Sequence, residues 1–268
     1  PSGTNRAGQR CDLCQRGLQR HCPTRRVLGI LGTILVAPEG INGTISGRAT
    51  DLASFFADLR ADPRFDDLES KEAAAQSHPF RRIKVKVKPE IVTFGVPEAD
   101  PNRAVGTYVK PADWNALITS PGVALIDTRN SYEVAVGTFD GAIDPGTRTF
   151  GEFPEFVRTT LDPGRQQKVA MFCTGGIRCE KATSYLLSLG FREVYHLEGG
   201  ILKYLETVPA DESLWRGECF VFDDRVAVGH GLAIARHVRC SRCGQPVPSS
   251  AQENRDTASV ALCADCEH

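Results

Sequence analysis

Residues 30–37 are almost continuously apolar and rich in β-branched side chains, and residues 44–46 resume the pattern after the turn signals Pro38-Glu39-Gly40 and Asn42-Gly43. That order predicts a β-hairpin. Thr50 is placed to cap a helix in which Leu52, Phe55, Phe56 and Leu59 recur at helical spacing, with Asp62-Pro63 as its stop. Further on, Ile83, Val85 and Val87 alternate with Lys84, Lys86 and Lys88. A period of two predicts a strand with one buried apolar face and one face carrying three ammonium groups. Strands with a single clear helix suit a small α+β domain. The first thirty residues show almost no apolar periodicity before Val27, so no core element is legible there.

Two prolines, two acids and an asparagine over residues 97–106 read as a linker, and beyond it the pattern changes. Helical periodicity over 111–119, a buried strand at 123–126, a helix at 156–161 and a second buried strand at 169–172 follow in turn. An amphipathic helix at 179–189, with Ala182, Tyr185, Leu186 and Leu189 on one face, is stopped by Gly190 and leads to a strand at 194–197. Short apolar strands alternating with helices imply a parallel sheet, whose ligands sit beyond the carboxyl ends of the strands. Asp127 and Cys173 lie at such ends. After residue 208 the text turns irregular, with a strand predicted at 218–222 and a short tail of paired cysteines. The expected division is an α+β domain over 1–96, a linker over 97–107, an α/β domain over 108–208 and an extension over 209–268.

Composition excludes several classes. With 41% apolar residues and a formal net charge of −1, the chain is not expected to be disordered as a whole or to capture nucleic acid by bulk charge. No apolar run approaches the roughly 20 residues of a spanning helix, and the arginine-rich beginning has no secretory-signal pattern. Seven of the ten cysteines fall in tight groups that suit metal binding or catalysis rather than disulfides, so a reducing, cytoplasmic compartment is expected.

The predicted strand 169–172 delivers Cys173, and Thr174, Gly175, Gly176, Ile177 and Arg178 separate it from the helix that begins with Cys179. Loop amides and a helix N-terminus around the sulfur favour a thiolate, and Arg178 adds a fixed positive charge. A buried cysteine that merely ends a strand is the plain alternative. Four residues between Cys and Arg make a tighter cradle than the five-residue spacing of cysteine phosphatases, and a single extra sulfur fits it more naturally than a phosphate. Asp127, Arg129 and Glu133 are placed either to contact Arg178 or substrate, or to form an ion-pair network that holds the loop. The glycine-rich text lacks the G-x-G-x-x-G pattern, so there is no flavin or nicotinamide fingerprint.

Residues 125–129, 132–142, 173–178 and Gly199-Gly200 together resemble a rhodanese domain. The stretches 37–44, 141–150, 172–181, 195–200 and 215–220 narrow this further: over about residues 30 to 268 the chain resembles the oxygen-dependent tRNA uridine hydroxylase family. The resemblance implies formation of 5-hydroxyuridine at the wobble position of tRNA, molecular oxygen as co-substrate, Cys173 as the essential cysteine and Arg178 as the residue that closes its loop. Two rivals stand beside it: a sulfurtransferase carrying persulfide on Cys173, and a non-catalytic RNA or protein interaction module.

Cys240-x2-Cys243 and Cys263-x2-Cys266, nineteen residues apart, have the spacing of a four-thiolate structural zinc site, with iron or a disulfide pair as alternatives. A tail this short buries little core, so metal would supply its folding free energy. Cys11, Cys14 and Cys22 lack a fourth ligand at matching spacing and are not expected to form a second knuckle. Arg81, Arg82, Lys84, Lys86 and Lys88 concentrate charge in one stretch, read either as a solubilising strand face or, given the resemblance, as contacts to tRNA. The expected architecture is a ferredoxin-like or acylphosphatase-like α+β domain, a central α/β rhodanese domain with a parallel sheet, and a four-cysteine zinc-binding tail. The sequence leaves the oligomeric state open.

Overall fold

The computed structural model describes residues 29–63, 65–66, 68, 70, 72, 78–249, 261–263 and 266. Cys11, Cys14 and Cys22 lie outside the described residues. The chain divides into two compact units between Ile91 and Val92.

In the first unit, β1 (Leu31–Ala37) is the central strand of three. It pairs antiparallel with β2 (Gly40–Ser46), and the hairpin turns on Pro38-Glu39. Asn42-Gly43, expected as a second turn, lies inside β2 instead. A Cβ on Gly43 would meet the Thr33 carbonyl oxygen at 2.5 Å, so this glycine lets two backbones approach rather than reverse. Helix α1 (Ala49–Arg60) sets Phe55 and Leu59 against Ile30, Ile34, Val36 and Phe65. Its cap is Arg48, not Thr50: the Arg48 carbonyl accepts from the Asp51 and Leu52 amides, both at 3.0 Å. Asp51 in the first turn answers the helix dipole and pairs with Arg48 at 2.7 Å.

The edge strand β3 (Ile83–Val87) runs parallel to β1. The buried apolar face expected for it is not there, since Val85 and Val87 are 37% and 44% exposed. The core beneath α1 gathers round the central strand and reaches only Ile83 of β3. Alternation along the sequence specifies two faces, but something must cover one of them before it is buried.

In the second unit, β4 (Thr107–Val109), α2 (Pro111–Ile118), β5 (Val123–Asp127), the helical turn α3 (Ser131–Val134) and β6 (Gly137–Phe139) come first. Then follow α4 (Phe153–Thr160), β7 (Lys168–Phe172), α5 (Ile177–Ser188), β8 (Glu193–Leu197) and α6 (Gly200–Thr207). Four strands form a wholly parallel sheet in the order β4-β8-β7-β5. The inner strand β7 and much of β5 are covered on both faces, which is why they read as unbroken apolar runs, whereas edge strand β4 leaves Tyr108 exposed. Val169, Met171 and Cys173 enter a core with α4 and α5, whereas Ala170 and Phe172 enter the opposite one with Trp114, Ile201 and Tyr204.

Three sequence expectations shift here. Phe94 packs its ring on Phe150 and Phe153, and Ala99 is buried in the same core, so the chain joins the second unit before the expected linker begins. Helix α4 starts at Phe153 rather than 156, with Pro154 in its first turn, where a missing amide costs nothing. Helix α5 starts at Ile177 rather than 179, directly after left-handed Gly176 at φ 98°, which brings Arg178 into its first turn.

The strand expected at 218–222 is reduced to two residues, and a separate short strand precedes it. β9 (Trp215–Gly217) pairs with β6, and β10 (Cys219–Phe220) pairs with β11 (Ala227–Val228). Gly217, at φ 78°, makes the break. The antiparallel pair β12 (His237–Arg239) and β13 (Pro246–Pro248) frames the first paired cysteines. No helix among the described residues is long and apolar enough to cross a membrane.

Candidate active site

Strand β7 ends by delivering Cys173 at the carboxyl edge of the sheet. Gly176, in the left-handed region, turns the loop so that its own amide donates to the Cys173 sulfur at 3.1 Å. The next elements hold the loop from behind. Amides of Ile201 and Leu202, in the first turn of α6, donate to the Cys173 and Thr174 carbonyls at 2.9 and 3.1 Å. Gly200, at φ 68°, is what permits this approach: a Cβ there would stand 2.5 Å from the Cys173 oxygen and 2.6 Å from that of Thr174. Gly175 has no neighbour within 4 Å of where its Cβ would be, so it leaves the loop's crest open.

Arg178 is clamped by Glu133, with Nη1 and Nη2 donating to the two carboxylate oxygens at 2.6 and 2.8 Å, and Nη2 also donates to the Thr174 hydroxyl at 3.1 Å. The same carboxylate accepts from the Asn130 amide at 3.1 Å, so it closes the helical turn α3 as well. Although burial disfavours its ionised form, Arg178 above all holds the Glu133 carboxyl below its usual range. Asp127 and Arg129 are fully buried and pair with each other, Nε to Oδ1 at 2.9 Å and Nη2 to Oδ2 at 2.6 Å. Thr138 donates to the same carboxylate at 2.9 Å, and the Arg129 guanidinium lies 5.2 Å from the Trp215 ring. Of the three charged residues at and after the end of β5, only Glu133 meets Arg178. The other two tie β5 to the strand pair β6–β9.

Burial pushes the Cys173 thiol up, but the Cys179 thiol, the Arg178 charge and the amides of Cys179 and Arg178 outweigh it and bring the pKa down to about 5. Cys179 moves the opposite way, well above its ordinary value, through burial and the neighbouring Cys173 charge; its sulfur lies 3.6 Å from the Thr128 hydroxyl. Cys219 is likewise pushed up by burial, to about 12. Of these three buried thiols, only Cys173 has its thiolate favoured, while Cys179 and Cys219 are held as neutral thiols. As a residue Cys173 is only 2% exposed, so the sulfur lies on the floor of its cradle rather than at the rim.

The Cys240, Cys243, Cys263 and Cys266 sulfurs all lie within 4.8 Å of one another. Tetrahedral zinc with bonds of about 2.3 Å separates its sulfurs by about 3.8 Å, so four thiolates at this spacing fit such an ion. Cys243 and Cys263 stand 3.4 Å apart, beyond the roughly 2 Å of a disulfide bond. Both knuckles have the turns such a site needs: Gly244, at φ 79°, donates to the Cys240 carbonyl at 2.8 Å, and the Cys266 amide to that of Cys263 at 2.9 Å.

On and beside β3 of the first unit, Arg81, Arg82, Lys84 and Lys86 are exposed and Lys88 is half-buried. No sequence signal singles out Phe222, whose ring stands 6.0 Å from the Arg178 guanidinium. Contacts made across some forty residues of chain leave no local spacing to read.

A four-stranded parallel sheet with a cysteine loop at its carboxyl edge, held by a buried arginine–carboxylate pair, defines a rhodanese-like domain. Residues 110–207 match the rhodanese-like domain model, and residues 9–91 match that of the UPF0176 acylphosphatase-like domain. The chain is 56% identical to a tRNA uridine(34) hydroxylase of Picosynechococcus sp. over 239 residues, covering 89% of this chain and 79% of that one. It is 55% identical to that of Rhizobium etli over 240 residues, covering 90% and 78%. Among solved structures it is similar to a rhodanese-like domain protein of Staphylococcus aureus, with 22% identity, a TM-score of 0.31, and 37% of this chain and 90% of that one covered. A polysulfide-sulfur transferase of Wolinella succinogenes is 30% identical, with a TM-score of 0.31 and 38% and 74% covered. The chain belongs to the tRNA uridine(34) hydroxylase family.

Proposed function

We propose that this protein hydroxylates uridine 34 of tRNA at C5, with molecular oxygen as co-substrate and Cys173 as its nucleophile. The observation that carries the reading is the cradle itself: a thiol brought down to about 5 by the Cys179 thiol, Arg178 and converging amides against the cost of burial. C6 of uracil is an electrophilic carbon, and a soft thiolate is suited to add there. As the S–C6 bond forms, the C5=C6 π pair moves to C5, where the C4 carbonyl stabilises it. C5 then attacks the near oxygen of a peroxide-level donor, formed from molecular oxygen by two electrons and two protons from an external two-electron reductant, and the O–O bond breaks with its pair leaving on the far oxygen as water or hydroxide. Loss of the C5 proton and expulsion of the thiolate restore the double bond and the enzyme.

Cys173 and Arg178 carry this role, Thr174, Gly175, Gly176 and Ile177 shape the loop, and Glu133 fixes Arg178. Asp127 and Arg129 support the site through β5 and the strand pair β6–β9, and Cys179 supports it through its contact with Cys173. Arg81, Arg82, Lys84, Lys86 and Lys88 are assigned to tRNA phosphates, and Cys240, Cys243, Cys263 and Cys266 to a structural zinc ion. A tRNA substrate and reduced thiols suit the cytoplasm.

The deciding experiment is nucleoside analysis of tRNA from cells with and without the gene, complemented with wild type or Cys173→Ser. Loss of 5-hydroxyuridine restored only by wild type is expected. Full modification by Cys173→Ser excludes the nucleophile, while an unchanged tRNA with a stable adduct of one sulfur atom after thiosulfate treatment favours a sulfurtransferase. Tenfold variation of salt tests the basic strand: replacing the three lysines by alanine is expected to flatten the salt dependence of tRNA affinity.

A further inference from the structure

Beside the cysteine loop an aromatic ring stands in the open. Phe222 is 62% exposed, although its neighbours Cys219, Phe220 and Val221 are buried. It is not a loose side chain. Its ring meets that of Phe220 edge-on, 5.0 Å between centroids at 84°, and Phe220 in turn meets Tyr132 at 5.5 Å and 85°. Tyr132 belongs to the helical turn that carries Glu133. The backbone beneath is a tight turn: the Val221 amide donates to the Val226 carbonyl at 2.8 Å and that of Val226 to the Asp223 carbonyl at 3.0 Å, with Val226 at φ 64°. Asp223 clamps Arg225, and its carbonyl accepts from the Arg239 guanidinium at 2.7 Å. That guanidinium lies 5.8 Å from the Phe220 ring, and the Arg178 guanidinium 6.0 Å from Phe222.

A phenylalanine held out to water by a built turn, next to the charge that keeps the catalytic sulfur ionised, has the properties of a stacking platform. Planar bases taken out of their stack are received on such rings, and a guanidinium near the ring, here that of Arg178, adds to the attraction. We propose that Phe222 is a substrate-positioning residue: the face of the target uracil stacks on its ring, which sets the base beside Arg178 and over the cradle of Cys173. This rests on the uridine-modifying reading of the site and names the side chain that holds the base.

The test compares Phe222→Leu with Phe222→Tyr in the full-length protein. An anticodon stem-loop RNA with uridine at position 34 is titrated against each protein, and a stem-loop with an abasic residue there serves as the reference. Loss of a base–aromatic stack is expected to weaken binding of the uridine RNA by about 5- to 150-fold in Phe222→Leu and leave the abasic RNA unchanged, with Phe222→Tyr close to wild type. The KM for hydroxylation should follow the same order, and the pH midpoint of Cys173 alkylation should not move. Equal affinities of wild type and Phe222→Leu for the uridine RNA overturn the assignment, as does equal weakening for both RNAs. If wild type binds through Phe222 but does not hydroxylate, the proposed function fails while the platform stands.

Discussion

Removing the Glu133–Arg178 pair gives the sharpest test of the cradle around Cys173. In Arg178→Gln/Glu133→Gln both members of the buried pair become neutral, so neither leaves an uncompensated charge behind. Burial works against the Cys173 thiolate and is overcome by the Cys179 thiol, Arg178 and the loop amides, for a net fall from 9.0 to about 5. That fall amounts to about 5 kcal/mol in favour of the thiolate. A single adjacent guanidinium is worth roughly one to three pH units of such a shift, so the double variant should titrate at about 6 to 8. Because lowering a thiol's pKa also lowers its intrinsic nucleophilicity, a rate at neutral pH says little. The ratio of rates within one protein avoids that difficulty and cancels access. Between about pH 5.5 and 8, thiolate content rises only about 1.3-fold for a pKa near 5, about 4- to 160-fold for the double variant, and about 300-fold for an ordinary thiol. Iodoacetamide labelling, read at Cys173 by peptide mass with Cys173→Ser as control, measures this. A wild-type rate still climbing steeply above about pH 7, or a double variant with the wild-type profile, refutes the cradle argument.

Other consequences are equally direct. Gly200→Ala places a methyl group against the Cys173 and Thr174 carbonyls at a left-handed position, and is expected to displace the loop, lower hydroxylation at least tenfold and raise the alkylation midpoint. Asp127→Ala strands the fully buried Arg129 guanidinium, with an expected loss of about 3–5 kcal/mol in urea denaturation. Elemental analysis should find one zinc per chain, lost in Cys266→Ser, with the alkylation profile of Cys173 unchanged. Since folding lowers the Cys173 pKa, the linked stabilisation is complete only above the unfolded thiol's value and fades as pH falls toward about 5, so Cys173→Ser should narrow the stability difference between about pH 8.5 and 5.5.

What the chain reveals by itself is what depends on local spacing. The buried strands of the parallel sheet, the cysteine loop and the two knuckles were all legible, because each is set by residues within a few positions of one another. Helix starts were less so: Thr50 is a better cap by type than Arg48, yet it is the Arg48 carbonyl that accepts the first amides. Alternation in β3 promised a buried face that only a packing partner supplies, and Val85 and Val87 have none among the core residues of their unit. The roles of Asp127, Arg129 and Glu133 were indistinguishable in sequence because three charged groups within seven residues have several pairings. Only the fold assigns Asp127 to Arg129 and Glu133 to Arg178. Gly200 and Phe222 act through contacts to distant segments, so no motif announces them.

The cysteine loop is fastened on both flanks, by the α6 amides on its carbonyls and by Glu133 on Arg178. A sulfur so fixed does not swing out to meet its target. Under the proposed function, the conformational work of the encounter then falls on the RNA, whose nucleotide would have to leave the anticodon stack to reach the thiolate. Transcripts whose wobble uridine is already loosely stacked would be served first, giving the enzyme a preference among tRNAs without reading any neighbouring letter.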